Sequence, residues 1–296
     1  MRILHVGKFY PPVPGGIERS VADIAHATAG AGADVAVLAH APPGHAHTRA
    51  YADGRVRVHE TGCWGQLLYA PVSPGFPFVL QRLLREFRPD LLHMHVPNTS
   101  AFAALALPAA RRLPWVVHWH SDIPLDGGSR ALRLAYPLYR PWEQALLRHA
   151  AAIVATSTPY RDASDALARW HGKVEVIPLS LPDDMSPMDG RFDWPNGRLR
   201  ILAVGRLSHY KGFDVLLRAL ADVPDAALGL IGDGEEVDRL HWIADERQLG
   251  DRVRFCGRVD DAALRCAYAN ADVFCLPSLD RSEERRVGKE CMPVCR

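Results

Sequence analysis

Short, almost unbroken apolar runs recur along this chain, and segments of helical period fill the gaps between them. In the first half the runs are Ile3–Gly7, Asp34–Ala39, Val56–His59, Leu91–His95, Val116–His120, Ile153–Ser157 and Val174–Ile177. Successive strand residues point to opposite faces, so a strand apolar at every position must be covered on both sides. That requirement selects parallel strands with helices packed on each face. Ile17–Ala29 has helical spacing and is closed by Gly30 and Gly32. Val79–Phe87 and Leu132–His149 have it too, although Pro137 and Pro141 are expected to break or kink the second.

The rhythm stops at PLSLPDDMSPMDGRFDWPNG, which holds four prolines, two glycines and no helical period, and reads as a linker. It restarts with Ile201–Gly205, Asp214–Ala221, Leu228–Gly232, Glu236–Gln248, Val253–Gly257, Asp261–Ala269 and Val273–Pro277. The expected fold is α/β: two doubly wound Rossmann-like domains, the second one incomplete. The expected boundaries are 1–178 for an N-terminal domain, 179–198 for the linker, 199–283 for a C-terminal domain and 284–296 for a tail of different character. Right-handed crossovers bring the C-terminal ends of parallel strands to one edge of each sheet. A cleft between the two edges is the expected active site.

The net charge of +1 argues against bulk electrostatic binding to nucleic acid. The opening MRILHVGKFYPP reads as a strand and turn, not a signal peptide, and no apolar run is long enough to span a membrane. Cys63, Cys256, Cys266 and Cys275 are scattered, which suits a reducing cytoplasm better than a disulfide framework. The cytoplasm is therefore the expected location.

Several loops carry groups that suit a phosphate ligand. GKFYPPVPGGIERS ends in Gly15-Gly16 and opens a helix, where backbone N–H groups can meet an anion; a plain tight turn explains it equally well. VGRLSHYKGFDVLLRAL puts Arg206 and Lys211 in a strand-to-helix loop. Arginine forks onto phosphate oxygens and lysine acts as a point charge, so the pair could clamp a diphosphate or be a solvated surface pair. LGLIGDGEE gives Gly232 and Gly234 after another strand, and FCGRVDD places Val259 after a third. VVHWHSD sets His118, His120 and Asp122 at a strand end, and LLHMHV repeats the spacing with His93 and His95. Two histidines at that spacing could share a metal, but zinc needs three or four ligands and no third is obvious, so no metal is expected. A dinucleotide fingerprint and a Walker loop are both absent.

Taken in order, GGIE at 15–18, VVHWHSD at 116–122, VATSTPY at 154–160, VIPLS at 176–180, VGRLSHYKGFDVLL at 204–217, IGDGEE at 231–236, VRFCGRV at 253–259 and ANADVFCLPS at 269–278 resemble the retaining glycosyltransferases of the GT-B fold, family 4. The resemblance implies a nucleotide diphosphate sugar as donor and no metal or other cofactor. It implies that Gly16 approaches the donor diphosphate, that Arg206 and Lys211 neutralise it as it leaves, and that Gly232, Val259 and Glu283 lie at the donor. It places His120 against the transferred sugar and Asp122 on the acceptor side. The HSDIP form of the histidine motif is similar to bacterial enzymes of surface polysaccharide synthesis, which suggests mannose- or rhamnose-like transfer to a glycan or lipid-linked acceptor. Arg130, Arg133, Arg140 and Arg148, interleaved with Leu132, Tyr136, Leu138, Tyr139 and Trp142, could then touch the inner face of a membrane, or be a packed helix with a basic solvated face.

The resemblance stops after Glu283. The family carries a second glutamate eight residues further on; here Cys291 stands there. RSEERRVGKEC also matches the translation of a common sequencing adapter, so the tail reads as foreign to the gene. The chain as written is expected to transfer little sugar and to be poorly soluble in its second half. Two other readings follow: a GT-B nucleotide-sugar epimerase, or an inactive nucleotide-binding remnant.

Overall fold

The computed structural model describes residues 1–123, 130–179 and 190–279. The chain divides into two compact units, Met1–Ser180 and Leu181–Arg296. Glu283 and the tail lie outside the described residues, and so do residues 180–189 of the linker.

The first unit holds β1 (Arg2–Val6), β2 (Asp34–His40), β3 (Arg49–Asp53), β4 (Val56–Thr61), β5 (Gly65–Leu67), β6 (Ala70–Val72), β7 (Leu91–Val96), β8 (Trp115–Trp119), β9 (Ala152–Ala155) and β10 (Val174–Val176). Eight of them form one sheet in the order β10-β9-β8-β7-β1-β2-β4-β3. All neighbours are parallel except β3, which pairs antiparallel with β4. The apolar runs are the parallel strands. β3 escaped the apolar-run criterion because RAYAD is a polar edge; the Asp53-Gly54 turn, with Gly54 at φ 58°, was its signal. The β5–β6 hairpin is a separate two-stranded ribbon.

One face of the sheet, carrying Leu4, Val6, Leu92, Met94, Val117 and Trp119, packs against helix Phe76–Glu86 through Leu80 and Leu83 and against helix Arg130–His149 through Leu146 and Leu147. On the opposite face, the one that carries His5, Val35, Val37, Val56 and Val58 meet Val21 and Ala25 of helix Gly16–Gly30. The Arg130–His149 helix runs on through Pro137 and Pro141, so the expected break does not occur. The prolines lie one turn apart on the exposed face. The carbonyls they leave unpaired therefore face water, which replaces the lost bonds.

The second unit contains β11 (Leu199–Val204), β12 (Ala226–Ile231), β13 (Val253–Gly257) and β14 (Val273–Phe274), parallel and ordered β13-β12-β11-β14. Helices Phe213–Leu220 and Val237–Glu246 cover one face through Phe213, Leu217, Leu240 and Ile243. The other face shows that residues 190–197 are not a free linker. Phe192 and Trp194 meet edge-on with ring centroids 4.9 Å apart and pack on Leu202 and Ile231. Gly229 in β12 makes room for them: a Cβ there would lie 3.1 Å from the Trp194 ring. Trp194→Ala is therefore expected to lower the stability of the second unit by roughly 2–3 kcal/mol, somewhat below a fully buried aromatic. A urea melt followed by signals from that unit checks it; an unchanged midpoint would restore the linker reading.

Candidate active site

Every strand of the second sheet points the same way, so the loops after β11, β12 and β13 share one edge. Arg206 and Lys211 follow β11, Gly232 follows β12 and Val259 follows β13. The first two loops are laced together: Leu207 N–H donates to the Asp233 carbonyl (3.1 Å) and Glu236 N–H to the Leu207 carbonyl (2.9 Å). Gly232 sits at φ 144°, and a Cβ on it would lie 1.8 Å from the Gly205 carbonyl oxygen. The close approach that demands glycine there is thus to the neighbouring loop. Lys211 closes a short 3-10 turn, with its ammonium 5.1 Å from the centre of the Tyr210 ring. Arg206 is exposed and forks onto one oxygen of Glu235 at 3.1 and 3.2 Å. Sequence reading missed this partner; its signal was an acid two residues past Gly-Asp in the adjoining loop. Val259 packs toward Leu202 and Ile231 and lines a depression of about 340 Å³ with Phe192, Arg254 and Cys256, which does not include Arg206, Lys211 or Gly232.

In the first unit the strand-end histidines are a larger group than the sequence suggested. β1, β7 and β8 are adjacent, and their register sets His5 beside His93 and His95 beside His118. With His120 just past β8, five imidazoles share one face. His118 and His120 stack at 4.3 Å with planes 10° apart, and His95 lies 5.3 Å from His120 at 17°. His95 Nε2 bonds His5 Nδ1 at 3.1 Å, and His95 Nδ1 bonds His120 Nε2 at 3.0 Å. The third ring that the sequence did not reveal is therefore present: His95, His118 and His120 each bring a nitrogen within 4.8 Å of the others. The stacking suits a metal poorly, because in-plane lone pairs of parallel rings point side by side, and both nitrogens of His95 are spent on other histidines. Asp122 accepts from Trp119 Nε1 (2.9 Å) and Ser164 Oγ (2.8 Å), so the same oxygen holds β8 to the segment after β9. Gly16 is exposed at the first turn of a 15-residue helix, with open space where a Cβ would be.

Residues 15–180 match the glycosyl transferase 4-like domain, and residues 187–285 match the glycosyl transferases group 1 domain. The chain belongs to the group 1 glycosyltransferases of the GT-B fold. It is 31% identical to a phosphatidyl-myo-inositol mannosyltransferase of Mycolicibacterium smegmatis, over 94% of this chain and 70% of that protein. It is 28% identical to the O-antigen chain mannosyltransferase C of Escherichia coli, over 96% of this chain and 74% of that one. In fold it is similar to a sucrose-phosphate synthase from Thermosynechococcus elongatus, with a TM-score of 0.76 at 23% identity, covering 94% of this chain and 76% of that chain. It is thus a hexosyltransferase-type enzyme that uses a nucleotide sugar.

The glycosyltransferase keeps its histidine stack neutral by burial. Desolvation lowers His5 to about 3 and His118 to about 4, from an ordinary 6.5, and holds His93, His95 and His120 well below that value. An unfolded chain takes up protons at these positions below pH 6.5 while the folded one does not. The stability they contribute is therefore complete above 6.5 and is lost as pH falls toward 4. Buried Glu143 works the other way: desolvation raises it from 4.5 to about 7, so its share is present below 4.5 and lost as pH rises through 7. Burial raises Asp122 likewise. Five imidazoles outweigh these carboxyls. The urea midpoint of the first unit is expected to fall steadily between pH 7 and 5, and a midpoint that holds or rises would contradict a neutral buried stack.

Proposed function

We propose that this glycosyltransferase moves mannose or a rhamnose-like sugar from a nucleotide diphosphate sugar to a glycan or lipid-linked acceptor, with retention, in bacterial surface polysaccharide or glycolipid synthesis. The observation that carries the reading is the pair Arg206 and Lys211 in the loop at the C-terminal end of β11, between its two parallel neighbours β12 and β14. Two cations there would stabilise the diphosphate as negative charge develops on it, without a divalent metal. Glu235 occupies Arg206 until the phosphate replaces it. Gly16, Gly232, Val259 and Glu283 would complete the donor site, Asp122 would stand on the acceptor side, and His120 would contact the transferred sugar. The two mannosyltransferase relatives support the sugar and the acceptor class.

A lipid acceptor brings the enzyme to a membrane surface. Among the described residues no helix is long and apolar enough to cross a membrane. The first unit does expose apolar side chains beside cations. Leu67 and Tyr69 at the tip of the β5–β6 hairpin are 69% and 61% exposed, and Phe78 is 72% exposed on a helix that also carries Arg82 and Arg85. On the Arg130–His149 helix Leu132 turns inward, while Leu134, Leu138 and Trp142 are exposed among Arg130, Arg133 and Arg140. This combination fits an anionic lipid surface, with the enzyme peripheral on the cytoplasmic side.

Two experiments test the reading. Incubated with GDP-mannose or a dTDP-sugar and a phosphoinositide or lipid-linked glycan acceptor, the chain is expected to form an α-linked product in the presence of EDTA, slowly, because Cys291 stands where the family has its second glutamate. Lys211→Ala should lower kcat by about 10²–10³-fold. Sugar epimerised without acceptor, or nucleotide bound with no turnover, would favour the epimerase or the inactive remnant. In sedimentation with phosphatidylglycerol vesicles, the protein should pellet with anionic but not with neutral lipid, and Leu67→Ser with Tyr69→Ser should weaken pelleting several-fold. Equal recovery with neutral vesicles, or none with either, would remove the membrane from the account.

A further inference from the structure

The chain His5–His95–His120 has a direction. All three rings are at most 2% exposed, and each link is a nitrogen-to-nitrogen hydrogen bond of 3.0 or 3.1 Å. A neutral imidazole carries one N–H, so it donates at one nitrogen and accepts at the other. Only two proton arrangements then satisfy both links. In one, the proton sits on Nδ1 of every ring: His5 donates to His95, His95 donates to His120, and His120 keeps an Nδ1–H beyond the chain. In the other, it sits on Nε2 of every ring, and the donations run back from His120 to His5.

The two arrangements end differently at His5. Its Nε2 is buried without a hydrogen-bond partner among the described residues. The first arrangement leaves a bare lone pair there; the second leaves a buried N–H with no acceptor. Among buried backbone groups an orphaned N–H is rarer than an under-satisfied acceptor, and the same preference applied to the imidazole favours the first arrangement. We infer that His5 and His95 are positioning residues that lock His120 in its Nδ1–H tautomer, so that His120 meets the substrate as a hydrogen-bond donor and not as a proton acceptor. The substrate part of this inference rests on the proposed place of His120 at the transferred sugar; the tautomer does not. A ring locked in this way can hold a sugar hydroxyl or a developing oxyanion, and the acceptor's proton must go elsewhere, to the leaving phosphate.

The test begins on the intact chain without substrate. Long-range proton–nitrogen spectra of the ¹⁵N-histidine protein, assigned with single His→Gln variants, are expected to show the Nδ1–H pattern for both His95 and His120. An Nε2–H pattern at His120, or fast exchange between the two, would overturn the lock. Transfer kinetics then test the consequence. His95→Phe should lower kcat about tenfold with little change in donor KM, and His95→Asn, whose amide N–H can still donate to His120 Nε2, should recover most of the loss. A locked tautomer with unchanged kcat in His95→Phe would overturn the positioning role. Failure of the sugar assignment itself would show separately, as full activity in His120→Ala.

Discussion

Parallel pairing in register is the constraint on which the rest of this molecule depends. A parallel strand delivers its C-terminal end to the same edge as its neighbours, and its side chains alternate strictly between faces. In the first unit the register of β1, β7 and β8 sets His5 against His93 and His95 against His118. A slip of one residue would turn these rings into the face now filled by Leu92, Met94, Val117 and Trp119. The apolar core on that face therefore holds the imidazoles on the other. In the second unit the same geometry gathers loops from three strands that are far apart in sequence.

The two edges differ in electrostatic character. The second unit offers exposed cations, one of them resting against a carboxylate that a phosphate can displace. The first offers buried, uncharged imidazoles whose hydrogen bonds are spent largely on one another. Leaving His118 without a partner at either nitrogen and His93 without one at Nε2 among the described residues costs about 1–3 kcal/mol per group. The large apolar face beneath them offsets that cost.

The parallel strands were legible because burial on both faces leaves a local mark, an unbroken apolar run. The edge strand β3 was not, because an exposed strand needs no such run. Phe192 and Trp194 were lost in the linker for a related reason: prolines and glycines announce irregular backbone but do not say whether its aromatics find a groove, and the groove here is made by Gly229, more than thirty residues away. Arg206 and Lys211 were readable as neighbours in one strand-to-helix loop. Glu235 as the partner of Arg206, and His5 as the third member of the histidine chain, depend on which strands are neighbours, and a sequence does not print strand order. Asp122 stood out in the sequence at a strand end, and its bonds to Trp119 and Ser164 give it a structural task there.

The most direct test of the account is a crystal structure of the chain soaked with a nucleoside diphosphate. The account predicts the diphosphate at the C-terminal edge of the second sheet, with its oxygens within hydrogen-bond reach of the Arg206 guanidinium and the Lys211 ammonium and with the Arg206–Glu235 pair opened. A nucleotide bound elsewhere, with that pair intact and Lys211 turned away, would contradict it.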